Sequence, residues 1–311
     1  MTLIPRTDLD VNPLCLGGNV FGWTADEAQS FAVLDAYTAG GGNFVDTSDS
    51  YSQWVPGNEG GVSETIIGNW LARSGRRDDL VIATKVSRHK DAVGLSRASI
   101  RRGVENSLRR LQTDHIDLYY AHYDDPDVPQ EETVAAFGEL VAEGKVRYLA
   151  ASNFTADRLA SSLRIADELG VARYVAAQSH YNLVHRETVE GALAELLETK
   201  NLALFPYYSL ASGFLTGKYR HGGDGEGRER GAAALKYLDE RGFRVLDALD
   251  KVAAAHAVEV TTVALAWLLT RPNVLAPIAS ARTVEQLPAL LAVSGLELTE
   301  AEVAELTTAS A

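Results

Sequence analysis

Short apolar runs recur along the chain, most of them broken off by a polar residue: Leu14–Leu16, Asn43–Asp46, Leu80–Val86, Ile116–His122, Val146–Ser152, Val175–Ser179, Leu202–Tyr207 and Leu275–Ala279. Most are nearly continuous in apolar residues, the pattern of parallel strands covered on both faces. Between them the spacing lengthens to a helical period. Ile66, Ile67, Trp70 and Leu71 share one face of a segment that Ser63 could cap and Gly75 close. Ile100, Val104, Leu108 and Leu111 repeat the design from Ser96 onward, as do Val134, Phe137, Leu140 and Val141 within Glu131–Glu143. Thr155–Leu169, Arg186–Glu198, Phe243–Ala257 and Thr261–Leu269 continue the series. Eight strands alternating with helices predict a parallel α/β fold, and the count favours a closed (β/α)8 TIM barrel over an open sheet.

Four stretches fall outside that alternation. Residues 1–13 read as an N-terminal hairpin or arm punctuated by Pro5 and Pro13. Residues 52–62 form a long loop after the second strand, and 213–242 a longer one after the seventh. The second contains a glycine- and charge-rich run at 221–231, read either as a lid or as a disordered stretch. About 25 C-terminal residues are left for one or two extra helices. No Pro-, Gly- or Ser-rich linker divides the chain, so residues 1–311 are expected to form one domain. No GxGxxG follows the first strand, which counts against a Rossmann domain.

Composition narrows the functional classes. A formal charge of −13 argues against nucleic acid, although a phosphate-bearing ligand could still meet a local cationic site. No apolar stretch reaches the length of a membrane span, and the N-terminus lacks the features of a signal peptide. Cys15 is the single cysteine, which fits a reducing, cytoplasmic setting and excludes an intramolecular disulfide.

The chemistry lies where strands end. In a barrel the C-terminal ends of neighbouring strands converge on one mouth. Asp46 ends the second strand, Lys85 nearly ends the third and His122 ends the fourth, with Tyr51 in the loop just beyond Asp46. Singly these have plain roles: a turn cap, a snorkelling lysine, a core histidine, loop packing. Together they make an acid–base device. An ammonium beside a phenol should lower the phenol pKa, a carboxylate would anchor the lysine, and an imidazole could polarise a carbonyl. No His, Cys or Asp cluster has zinc-like spacing and no nucleophile elbow occurs, so neither a metal site nor a serine hydrolase is expected.

These segments resemble the aldo-keto reductase superfamily over nearly the whole chain. The resemblance is carried by Asn43-Phe-Val-Asp-Thr-Ser-Asp-Ser-Tyr51, Ser63-Glu-Thr-Ile-Ile-Gly68, Ile82-Ala-Thr-Lys-Val86, and Asp117-Leu-Tyr-Tyr-Ala-His122 with Asp127-Val-Pro-Gln-Glu-Glu-Thr133. It implies a catalytic tetrad of Asp46, Tyr51, Lys85 and His122, Tyr51 being the general acid of reversible NAD(P)H-dependent carbonyl reduction. It further implies that Ser152, Asn153 and Gln178 hold the nicotinamide carboxamide and that Tyr207 stacks on its ring. Residues 206–218, with Ser209, Leu210, Ser212 and Lys218, resemble the pyrophosphate loop. Ser280, Arg282 and Gln286 resemble the adenosine end, where Arg282 favours NADP(H) over NAD(H). Three positions depart from the family pattern: Ser280 stands for a usual Gly, Ala289 and Leu290 for a Glu-Asn pair, and Tyr208-Ser209 for Ser-Pro. Phe21, Trp23, Trp54 and Tyr123 are expected to wall the substrate side for a small carbonyl or alcohol compound. Two other readings stay open: a cofactor-binding regulatory subunit of a larger assembly, and an aldolase-type lyase using Lys85 as a Schiff base.

Overall fold

The computed structural model describes residues 1–227 and 229–311. An antiparallel hairpin, Thr2–Leu3 with Asp10–Val11, precedes eight parallel strands. These are β1 (Cys15–Gly17), β2 (Phe44–Asp46), β3 (Val81–Val86), β4 (Ile116–Ala121), β5 (Val146–Ser152), β6 (Tyr174–Gln178), β7 (Ala203–Leu204) and β8 (Ile278–Ala279). They pair in sequence order, and β8 returns beside β1. The remaining seam is closed by backbone bonds: Leu204 N donates to Asn273 O (2.7 Å), Leu275 N to Leu204 O (3.3 Å) and Ile278 N to Pro206 O (2.8 Å). The result is a (β/α)8 TIM barrel.

Side-chain parity decides what enters the lumen, because successive strand residues point to opposite faces. Phe44, Val81, Ala83, Leu118 and Tyr120 form the inner cluster, while Val45, Ile82, Val86, Tyr119 and Ala121 join the cluster that packs on the helices. The same parity sends Asp46, Lys85 and His122 inward, each at the C-terminal end of its strand. Ile4, Leu9 and Val11 of the hairpin join the inner cluster beside Cys15 and so plug the opposite end.

Helices α1 (Glu27–Ala39), α2 (Val62–Ser74), α3 (Arg97–Leu111), α4 (Gln130–Ala142), α5 (Ala156–Leu169) and α6 (Ala192–Lys200) follow the first six strands. Short α7 (Gly231–Leu235), α8 (Glu240–His256) and α9 (Val260–Leu269) separate β7 from β8, and α10 (Leu287–Leu291) and α11 (Glu300–Ala309) end the chain. Among the described residues no single helix is long and apolar enough to cross a membrane.

The structure corrects several local expectations. Helix α1 was not among the predicted helices. Its buried face is Ser30, Val33, Leu34, Tyr37 and Thr38, a helical stripe in which Ser30 and Thr38 break the apolar pattern. Ser63 is not the cap of α2: Gly61, in the left-handed region (φ 69°), occupies that place. Ser63 instead accepts from Thr47 Oγ1 and donates to Gly18 O, both at 2.8 Å, tying β1 to β2. The helix expected from Arg186 begins at Ala192, after Gly191 with φ 114°. Arg186 pairs with Glu190 and bonds Thr307 O at the end of α11. The seventh and eighth strands are two residues each, shorter than their apolar runs. The run at 221–231 lies partly outside the described residues.

Candidate active site

Four strand-end groups meet at the mouth. Lys85 and Asp46 are essentially fully buried. Lys85 Nζ spends its three hydrogens on Asp46 Oδ2 (2.6 Å), Thr47 O (2.7 Å) and Tyr51 OH (2.9 Å). Asp46 in turn accepts from Gln178 Nε2 (2.9 Å) and lies 3.2 Å from the Tyr51 hydroxyl. A buried ion pair of this kind persists because its remaining donors and acceptors are satisfied. The loop after β2 returns Tyr51 over the lysine, whose ammonium also sits 4.7 Å from the phenol ring centroid.

The electrostatics differ from the sequence expectation in one respect. Burial first, and then the Asp46 carboxylate, push the Tyr51 phenol well above its ordinary value. The ammonium therefore does not make it a phenolate; the hydroxyl keeps its proton. His122, 6.3 Å from Tyr51 between ring centroids, is pushed well below its ordinary value by burial, then by Lys85 and Arg88. Its imidazole is neutral, and Nδ1 lies 3.3 Å from Ser48 Oγ.

Asp46, Tyr51 and His122 border one cleft of about 810 Å³, and Lys85 lies beneath Tyr51. The cleft continues past Ser152, Asn153, Gln178 and Tyr207 to Ser209, Leu210, Ser212 and Lys218, and ends at Ser280, Arg282 and Gln286. Asn153, in the left-handed region (φ 58°), donates to His122 O (2.9 Å) and Ser152 Oγ (3.0 Å) and accepts from Tyr207 OH (2.7 Å). Tyr207 is thus fixed on the wall, backed by a near-parallel His180 ring at 5.5 Å. Tyr208, Ala211 and Ser212 all carry positive φ (50°, 48° and 59°), ahead of Gly213 at 94°. Left-handed backbone costs a non-glycine residue about 1–2 kcal/mol, and such strain gathers at functional loops.

Cations and carboxylates share this cleft, which Glu229, Glu259 and Glu285 also line. Lys218 and Arg282 supply cations there, and Arg282 N is already held by Gln286 Oε1 (2.8 Å). Ser280 donates to Asn19 Oδ1 (2.6 Å). A Cβ on Gly17 would come within 2.7 Å of that serine oxygen, so glycine on β1 accommodates the serine just after β8. Amide and hydroxyl groups at the Asp46 end match a carboxamide, and cations at the other end match phosphates.

On the substrate side the expected aromatic wall is only partly present. Trp54 and Tyr123 line the cleft, and Trp23 backs Trp54 edge-on at 5.6 Å. Phe21 does not belong there: it is fully buried in the outer core, with its carbonyl accepting from Ser52 Oγ. Among the lining residues that sequence reasoning did not assign to the site, three are large and sit at the mouth. Arg88 stacks on Tyr123 (4.7 Å), Tyr208 lines the mouth, and Arg230 reaches from the loop before α7 to the Trp23 ring (5.3 Å). The charge-rich run around 221–231 was the available signal for Arg230; nothing marked Arg88.

The chain is similar over nearly its whole length to known proteins. The profile of the aldo/keto reductase family matches residues 13–311. Protein tas of Escherichia coli is 33% identical over 330 aligned positions, covering 97% of this chain and 95% of that protein. An uncharacterized oxidoreductase, YrpG of Bacillus subtilis, is 36% identical over 295 positions, covering 92% and 88%. Norsolorinic acid reductase B of Dothistroma septosporum is 31% identical over 324 positions, covering 98% and 79%.

Proposed function

This chain belongs to the aldo/keto reductase family and is an oxidoreductase, and on that premise we propose that it reversibly reduces the carbonyl of an aldehyde or ketone to an alcohol, with NADP(H) preferred and Tyr51 as proton donor. The observation that carries this reading is the Lys85 ammonium shared between Asp46 and the Tyr51 hydroxyl. When bound, the nicotinamide cofactor supplies the hydride.

The chain's own residues do the rest. Burial and Asp46 keep the phenol protonated, so Tyr51 can surrender a proton to an oxygen whose negative charge is developing. The phenolate left behind is stabilised by the ammonium 2.9 Å away, an interaction that strengthens as charge forms. Neutral His122 offers a hydrogen-bonding nitrogen to the same oxygen without adding a competing charge. Ser152, Asn153 and Tyr207 orient the carboxamide and ring, Ser212 and Lys218 meet the pyrophosphate, and Arg282 meets a 2′-phosphate.

A Schiff-base lyase fits less well, because Lys85 is fully buried and all its hydrogens are engaged. The test is loss of reduced-cofactor absorbance with NADPH and NADH over aliphatic aldehydes, aryl ketones and norsolorinic acid, the last from the relatives' name. Turnover with at least one carbonyl, faster with NADPH, supports the reading. Tight NADPH binding with no turnover across the panel would instead favour the regulatory subunit.

A further inference from the structure

Asp49 lies three residues beyond the tetrad carboxylate and has no place in the tetrad. It is fully buried. Its Oδ1 is 3.1 Å from Ser48 Oγ, and its Oδ2 has no hydrogen-bond partner among the described residues. Ser48 Oγ is also the atom that meets His122 Nδ1 at 3.3 Å. A continuous chain, Asp49–Ser48–His122, therefore runs from a buried carboxyl to the cleft. Because Nδ1 is committed to Ser48, Nε2 is the imidazole nitrogen left for a ligand.

A half-satisfied ionised carboxylate is expensive to bury, and here a second buried carboxylate faces it. Glu64 on α2 is fully buried, and its oxygens accept from Thr84 Oγ1 (2.5 Å) and Arg110 Nε (2.6 Å). Arg110 gives its Nε to Glu64 and leaves Nη2 without a partner among the described residues, so the guanidinium offsets only part of the rise at Asp49. Burial, then Glu64, raise the Asp49 carboxyl to about 7. A protonated carboxyl gains what the ionised one lacks, an O–H to donate.

We propose that Asp49 is a positioning residue that sets the tautomer of His122 through the Ser48 hydroxyl. With its proton in place, Asp49 donates to Ser48 Oγ, Ser48 donates to Nδ1, and the imidazole proton sits on Nε2, ready for a carbonyl oxygen. When the chain loses one proton, Ser48 turns to donate to the carboxylate and accepts from Nδ1–H, which leaves Nε2 bare. The balance is one proton released at Nε2, with the Asp49 and Ser48 protons each moving one place along. A bare nitrogen repels a carbonyl oxygen, so reduction weakens as the chain deprotonates. Ser50 does not block the switch: its amide, 3.3 Å away, takes one of the two acceptor sites of Ser48 Oγ and the relay proton takes the other, so the Ser50 hydroxyl at 3.1 Å directs its own proton elsewhere.

The other groups facing the chain are few. Glu64 and Arg110 approach Asp49 from α2 and α3, and the backbone amide of His89, in the loop after β3, lies near its carboxyl and opposes the rise; the His89 imidazole itself is pushed down by burial and Arg110. Tyr119 on β4 faces Asp49 and is pushed well above its ordinary value by burial. Lys85, Arg88, Tyr51 and Tyr123 surround His122. Of the neighbours whose values are shifted, none moves into the neutral range, which leaves Asp49 as the switching group.

The experiment is 15N NMR of the full chain labelled at histidine, with His122 assigned by its loss in His122→Gln, titrated about two pH units either side of 7. Wild type should pass from Nε2–H to Nδ1–H with a midpoint near 7. Asp49→Asn, which cannot ionise, should hold one tautomer throughout, and Ser48→Ala should uncouple His122 from the transition. In parallel, kcat/KM for carbonyl reduction should fall about tenfold per pH unit above the midpoint in wild type and lose that dependence in Asp49→Asn. An unchanging tautomer in wild type, or an unaltered transition in either variant, overturns the proposal. The kinetic arm rests on the reductase reading and the NMR arm does not. A transition without any turnover overturns that reading alone; turnover without a transition overturns the relay alone.

Discussion

Removing either member of the Lys85–Asp46 pair should cost stability unequally, and the order follows from the hydrogen bonds. Lys85→Met leaves the Asp46 carboxylate with two neutral donors in place, Gln178 Nε2 and the Tyr51 hydroxyl. Asp46→Asn leaves a buried ammonium with the Thr47 carbonyl, the Tyr51 oxygen and one amide oxygen. Worse, the new amide must turn its NH2 toward either Lys85 or Gln178, both donors. Stranding one buried charge typically costs about 3–5 kcal/mol. Lys85→Met is expected near the lower end of that range and Asp46→Asn near the upper.

The double variant removes both charges, so its loss should fall below the sum of the single losses by more than about 1 kcal/mol. Urea unfolding followed by circular dichroism, with the slope checked for constancy, measures all four states of the cycle. Additive losses, within about 0.5 kcal/mol, would mean that the two charges do not depend on each other. The account of how Tyr51 is held would then fail.

Three further outcomes follow. Arg282→Ala should weaken NADPH binding about tenfold or more while changing NADH little, as judged by fluorescence titration, because a charge-assisted bond to a phosphate is lost. Gly17→Ala should destabilise the chain by about 1–3 kcal/mol through overpacking against Ser280, and Ser280→Gly should restore most of that in thermal unfolding. Asp49 binds its proton more tightly folded (about 7) than its ordinary 3.8, so the native state holds more protons between those values and stability falls as pH rises through that window. Asp49→Asn should flatten that part of the stability–pH curve; an unchanged slope would contradict the assignment.

The barrel was legible because buried parallel strands are written as nearly unbroken apolar runs, and six of the seven segments connecting them carried helical spacing. Helix α1 escaped because Ser30 and Thr38 sit on its buried face, although Asp26 and Gln29 form a capping box that announces its start. The tetrad positions could be found because strand parity is strict: two residues along β3 separate Ala83 from Lys85 on the same inner face. Loop residues obey no such period. Phe21 was placed at the mouth from its position after β1, yet its side chain turns into the outer core. Arg230 arrives from a distant loop whose charge-rich run marks the segment but not which of its residues reaches the cleft. The fate of Asp49 depends on Glu64 and Arg110, which meet it only once α2 and α3 pack together.

The central claim is that Tyr51 gives up the proton, and Tyr51→Phe tests it most directly. The ring and its neighbours remain, while the hydroxyl bonded to Lys85 is gone. Single-turnover kinetics with NADPH and the best carbonyl of the panel should show hydride transfer slowed about 10²–10⁴-fold, with cofactor affinity unchanged. Hydride transfer at the wild-type rate in that variant would contradict the account.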